Sequence, residues 1–164
     1  MNVSPDPVAP GQESVWAYPR PPRLEPTPKR LQIVHAGRVI ADSRNALRLL
    51  ETSHPPSYYI PPADIDMTLM LPGRGGSFCE WKGRAIYWDV VADGVPLLAV
   101  GWSYPQPSTG FAALQDHVAF YAGPFERVLV DGERVRPQPG GFYGGWITAD
   151  LAGPFKGVPG SQFW

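Results

Sequence analysis

Apolar and polar residues alternate in short runs along most of this chain, and nearly every run ends at a turn signal. Leu31-Gln32-Ile33-Val34 and Val39-Ile40-Ala41 flank His35-Ala36-Gly37-Arg38, a β-hairpin pattern in which Gly37 supplies a positive φ. Ser77–Trp81 and Arg84–Val91 flank Lys82-Gly83, and Val95–Trp102 continues the meander after Asp93-Gly94. Val128–Val130 and Arg134-Val135 flank Asp131-Gly132, a third hairpin signal. Asp64–Met70 has the two-residue period of a strand, and Pro72–Gly76 reads as a loop. Val118–Tyr121 reads as another strand, with a helical turn expected near Phe111–Gln115. Ser43–Thr52 is open to two readings: Ser43 capping a short helix, or Leu47, Leu49 and Glu51 on one face of a strand, which is preferred. The runs amount to seven or eight short strands. Parallel strands need crossovers of a dozen or more residues, so antiparallel pairing is expected.

Composition agrees with many turns around an aromatic core. Proline and glycine number 21 and 18 of 164 residues, beside six Trp, seven Tyr and seven Phe. Disordered chains lack such aromatic content, and internal prolines oppose long helices. The fold class expected is mainly β: a single compact antiparallel β domain with little helix and long Pro/Gly-rich terminal segments. Residues 1–28 read as a Pro-rich extended arm, 29–137 as the antiparallel core, and 138–164 as an aromatic tail wrapped over the core without joining a sheet. Trp16 and Tyr18 in the arm favour docking on the chain's own body or on a second subunit. His54–Pro62 is an extended connection, because each proline disfavours helix at the residue before it.

Charge and cysteine content narrow the classes. The net charge of −1 gives no field for nucleic acid or an anionic membrane. Cys79 is the single cysteine, which excludes an intramolecular disulfide and a multi-cysteine zinc site. His35, His54 and His117 show no ligand spacing. No apolar run reaches the length needed to span a bilayer, and the N-terminus lacks the features of a signal peptide, so a cytoplasmic location is expected.

Several separated motifs fall in one order: Glu51-Thr52-Ser53-His54-Pro55-Pro56-Ser57-Tyr58-Tyr59-Ile60-Pro61, Cys79-Glu80-Trp81-Lys82-Gly83, Tyr87-Trp88, Trp102-Ser103-Tyr104-Pro105 and Ala119-Phe120-Tyr121. Together they resemble the bacterial domain-of-unknown-function family 427. The Ser14–Pro22 segment, Phe142–Thr148 and Gly153–Gly157 look like an extended branch of it. The resemblance implies a β-tent or Mss4-like topology. Relatives of that topology commonly hold zinc through paired CxxC motifs, which this chain lacks. It also implies a nucleotidyltransferase label. Only Asp64 and Asp66 could serve that chemistry, by holding Mg²⁺ from one strand face. No Gly-Ser pair opens a helix upstream to cradle phosphates. Gly153–Gly157 likewise lacks the phosphate-loop pattern.

The remaining chemistry is polar groups among rings. Cys79, placed by strand alternation on the face of Trp81, reads as a small buried hydrophobe or as a nucleophile. Lys82 occupies a turn, or reaches over a pocket rim as an anion ligand. The turn type decides whether Glu80 or Trp81 stands opposite Arg84. Glu51 pairs with Arg44 or Arg48, or acts in acid–base chemistry if buried beside tyrosines. Of the many aromatic residues, most belong to the core and some are expected to line a site for a planar or sugar-like ligand. The pocket expected comprises Arg44, Tyr59, Cys79, Tyr87, Trp102, Tyr104 and Tyr121. Three functional classes compete: small-molecule binding in that pocket, which is preferred; an enzyme using Glu51 and Lys82 there; and a structural or oligomerising module clasped through the arm. No cofactor is expected.

Overall fold

Three two-residue turns set the frame. Ala36-Gly37, Asp93-Gly94 and Asp131-Gly132 have positive φ at both positions (49° and 70°, 54° and 74°, 48° and 80°), the backbone of the tight turns whose twist matches paired strands. The computed structural model describes residues 3–164. Its strands are β1 (Glu13–Ser14), β2 (Arg23–Pro26), β3 (Leu31–His35), β4 (Arg38–Ser43), β5 (Leu47–Leu50), β6 (Ser57–Ile60), β7 (Met70–Cys79), β8 (Gly83–Ala92), β9 (Val95–Ser103), β10 (Val118–Phe120), β11 (Arg127–Val130), β12 (Glu133–Arg134), β13 (Arg136–Pro137), β14 (Trp146–Ile147) and β15 (Leu151–Ala152). The short helical pieces are 3₁₀ turns, including Thr109–Leu114.

A seven-stranded antiparallel sheet in the order β2-β5-β6-β10-β9-β8-β7 dominates, and a four-stranded sheet, β12-β11-β3-β4, covers one of its faces. Between them lies the main core. Leu31, Ile33, Ile40, Val128 and Val130 of the smaller sheet meet Tyr58, Ile60, Val90, Val118 and Phe120 of the larger. Trp146 of the tail enters this core at 1% exposure, its indole Nε1 donating to the Phe120 carbonyl at 2.8 Å.

The opposite face of the large sheet carries a second cluster, in which Tyr59, Tyr104, Phe111, Leu114 and Ala119 are buried. Cross-strand register explains its contents. Leu47 pairs with Tyr59, Tyr59 with Ala119, Ala119 with Trp102 and Trp102 with Tyr87. Directly opposed residues point to the same face, so one row across five strands brings Tyr59, Trp102 and Tyr87 together.

Five local expectations are corrected. Asp64–Met70 is not a strand. Pro62–Asp64 and Met67–Leu69 are 3₁₀ turns, the second started by the Asp66 carboxylate accepting from the Thr68 N–H at 3.1 Å, and β7 begins only at Met70. A side chain that satisfies its own backbone competes with strand pairing. Pro72–Gly76 lies inside β7, as a register shift against β8. An edge strand tolerates a proline because one row of its N–H groups has no partner strand. At the tip of this hairpin Phe78 stands opposite Arg84 and Cys79 opposite Gly83. Neither turn anticipated there forms, because Glu80, Trp81 and Lys82 all lie in the connection. The tail does contribute strands, β14 pairing with β13 and β15 with β1. The β1–β15 pair is parallel, which antiparallel expectation did not allow.

The arm is built into the body. β2 forms an edge of the large sheet against β5. Val15 and Tyr18 pack with Leu50 and Leu151, and Trp16 lies 5.4 Å from Trp164 by ring centroids while donating to the Pro154 carbonyl at 2.8 Å. No helix among the described residues is long and apolar enough to cross a membrane.

Candidate functional site

The aromatic row on the second face forms the floor of a cleft of about 400 Å³. Tyr59, Tyr87 and Trp102 come from strands β6, β8 and β9, and Tyr121 follows β10. Trp102 is the centre. Its ring centroid is 4.8 Å from that of Tyr121 and 6.3 Å from that of Tyr59, and its indole N–H donates to the Tyr59 hydroxyl at 3.3 Å. Tyr104 closes one end, 6.3 Å from Tyr59. Burial raises the phenol pKa of both Tyr59 and Tyr104, so each stays a protonated donor.

Three further walls complete the cleft. The β7–β8 hairpin end supplies Phe78, Cys79, Trp81 and Lys82. Lys82 Nζ lies 5.5 Å above the Tyr104 ring. Cys79 is partly buried against the cluster around Tyr59 and Tyr104. Trp81 lies in the turn, so strand alternation does not relate it to Cys79.

The second wall is the connection after β5, with Glu51, His54 and Pro55. Two segments distant in sequence hold it. The arm binds it from one side, Ser53 N–H donating to the Val15 carbonyl at 3.0 Å and Thr52 N–H to that of Pro19 at 3.3 Å. The tail binds it from the other, Lys156 N–H donating to the Ser53 carbonyl at 2.9 Å. Ser53 is fully buried with φ at +73°, a conformation that costs a non-glycine residue and persists where surroundings over-determine it.

The tail itself is the third wall, with Gln138, Phe142, Tyr143, Gly144 and Lys156. Gln138, 4% exposed, uses its whole amide. Its carbonyl accepts from the Gly145 N–H at 3.0 Å, and its NH₂ donates to the Lys156 carbonyl at 2.9 Å and to His54 Nδ1 at 3.0 Å. Because His54 Nδ1 accepts that bond, the ring proton belongs on Nε2. Nε2 faces Glu51 Oε2 at 3.5 Å. The histidine is nonetheless held neutral, its pKa pushed down to about 3 by burial and then by the charges of Lys156, Arg20 and Lys82.

The residues anticipated from sequence separate into two groups. Tyr59, Cys79, Tyr87, Trp102, Tyr104 and Tyr121 line this cleft together with Glu51 and Lys82. Arg44 does not. It is exposed in the turn after β4, near Asp42. Neither Arg44 nor Arg48 pairs with Glu51. That place falls to Arg20 of the arm, at 3.5 Å, while Arg48 binds Glu13 and Glu25. Asp64 and Asp66 do not share a strand face. Asp64 accepts from the Ser43 hydroxyl at 2.6 Å, and Asp66 caps its 3₁₀ turn with Arg38 at 4.0 Å. Among the described residues no group of three or more His, Cys, Asp or Glu is gathered as a metal would require. Sequence reading passed over His54, Gln138, Phe142, Tyr143 and Gly144. His54 and the run Phe142–Trp146 are legible there only as family motifs, and Gln138 leaves no local signal.

An open two-sheet β domain with an aromatic cleft on the outer face of its larger sheet is therefore the class of protein described. The family described as domain of unknown function DUF427 matches residues 23–135, more than half of the chain, and the chain belongs to that family. Nucleotidyl transfer appears only in the family's short label, NTP_transf_9. No curated protein matches the chain. The match leaves out the arm strand β1 and the whole tail, so one wall of the cleft and both clamps on Glu51–His54 lie outside it.

Proposed function

We propose that this protein binds a small, flat organic molecule, stacked on the Trp102 floor of the cleft. The observation that carries the reading is the row Tyr59, Trp102 and Tyr87, delivered to one face by strand register and walled on one side by the tail. Aromatic surface held this way in a concavity is typical of small-molecule sites, where a few polar groups fix orientation. Here those groups are the Lys82 ammonium, the Glu51 carboxylate and the protonated phenols.

A thermal-shift screen of the full chain against flat metabolites tests it. At least one compound is expected to raise the melting temperature, and Tyr87→Ala or Trp102→Ala, in whichever variant keeps its circular dichroism, is expected to abolish the rise. A compound that stabilises both folded variants as well as the parent would remove the cleft from consideration.

A second reading is catalytic. Glu51, Lys82 and Tyr104 meet in this one cleft, which favours acid–base chemistry on the bound molecule. Glu51→Gln would then abolish turnover of a compound found in the screen while leaving its binding intact.

A further inference from the structure

The cleft carries charges of both signs. Its lining has two carboxylates, Glu51 and Glu80, and two ammonium groups, Lys82 and Lys156, with Arg20 standing behind Glu51. Two of the lining charges, Glu51 and Lys156, are already engaged. Glu51 faces Arg20 and His54, each at 3.5 Å. Lys156 Nζ donates to the main-chain oxygen of Trp164 at 3.2 Å. Glu80 is exposed in the hairpin turn. Lys82 differs: among the described residues no carboxylate lies within 4 Å of it, and its neighbour is the face of Tyr104. Its backbone is also fixed, the Lys82 carbonyl accepting from the Ser108 N–H at 2.9 Å.

Resting on the stacking site proposed above, we infer that the ligand is an anionic aromatic compound, its ring on Trp102 and its carboxylate or phosphate on the Lys82 ammonium. A hydrogen bond to a charged group in a partly desolvated cleft is stronger than a neutral one. A lysine suits either oxyanion, since it acts as a point charge and not as a planar fork. The ring and the charge are both required: the anion alone has no floor, and a neutral ring leaves Lys82 without a partner.

Four probes separate these elements: 2-naphthoate, its neutral isostere 2-naphthamide, 2-naphthyl phosphate and inorganic phosphate. Each is titrated into the ¹⁵N-labelled full chain at low salt, following the indole N–H signal of Trp102 as assigned from Trp102→Phe. At least one of the two anionic naphthyl compounds is expected to bind about tenfold more tightly than the amide, and inorganic phosphate not to move the signal. Lys82→Met, which keeps the apolar stem, is expected to reduce the preference to less than about twofold and leave the amide's affinity unchanged. Whether carboxylate or phosphate binds more tightly identifies the head group. Equal binding of amide and anions, with the Trp102 signal responding, would overturn the anion assignment and keep the stacking site. If no naphthyl compound moves that signal, both fall.

Discussion

A methyl group placed on Gly144 would stand 2.1 Å from Cη2 of Trp102. The tail therefore abuts the outer edge of the central ring of the cleft floor, and only glycine permits so close an approach. Gly144→Ala is expected to lift the strap or tilt the indole. Overpacking of this kind costs about 1–3 kcal/mol. A lower melting temperature and a red-shifted tryptophan emission would report it. Gly141→Ala is the control. It has open space around its added methyl but φ at +72°, so it should lose about 1 kcal/mol without the spectral change.

Stability should depend on His54 in acid. Its pKa falls from the ordinary 6.5 to about 3 on folding, so the unfolded chain binds the proton more readily. Stability is then greatest above about pH 6.5 and falls as pH drops toward 3, by about 1.4 kcal/mol per unit at most. Glu51, Lys156, Arg20 and Lys82 surround the ring, and carboxylates elsewhere, Glu13 and Asp150 among them, lose stabilising contacts over part of the same range. The difference between parent and His54→Asn isolates the histidine. Asn retains an acceptor for Gln138 and cannot titrate, so its urea midpoint should fall less steeply between pH 6.5 and 4.

Arg48 ties the arm to the large sheet. It donates to Glu13 at 2.5 Å and to Glu25 at 2.6 Å, and Glu13 also accepts from the Tyr18 hydroxyl at 2.7 Å. The arginine side chain is 17% exposed, so removing it leaves Glu13 with the Tyr18 hydroxyl and Glu25 with Arg23 at 3.6 Å as their remaining partners. Arg48→Met should cost about 2 kcal/mol and expose residues 13–18 to limited proteolysis before the rest of the chain. Unchanged protease resistance there would show that the aromatic contacts of Trp16 and Tyr18 hold the arm alone.

The family-matched portion should be insufficient by itself. A chain cut to residues 23–135 loses Trp146 from the main core, and truncating a buried Trp typically costs about 3–5 kcal/mol. It also loses both clamps on Glu51–His54. We expect such a fragment to unfold at a markedly lower temperature than the full chain, or to bind the hydrophobic dye ANS. A fragment as stable as the parent would make the tail an accessory.

Local chemistry was legible in the sequence because it needs no partner. A hairpin is specified by two turn residues and the alternation around them, so Ala36-Gly37, Asp93-Gly94 and Asp131-Gly132 could be placed in advance, along with the mainly β class. The cleft's floor residues were named from aromatic content alone, and only cross-strand register decides that Tyr59 and Tyr87, not their neighbours Tyr58 and Trp88, join Trp102 in one row. Failures began where side chains compete with the backbone, as Asp66 does at Thr68, or where pairing joins distant segments. β1 and β15 are separated by over a hundred residues, and nothing local encodes their parallel register. The sequence alone thus determined strands, turns and an aromatic interior. Only the tertiary structure decided that Arg20 and not Arg44 meets Glu51, that Gln138 fixes the tautomer of His54, and that Gly144 abuts Trp102, because each of these contacts exists only once arm, sheet and tail have closed on one another.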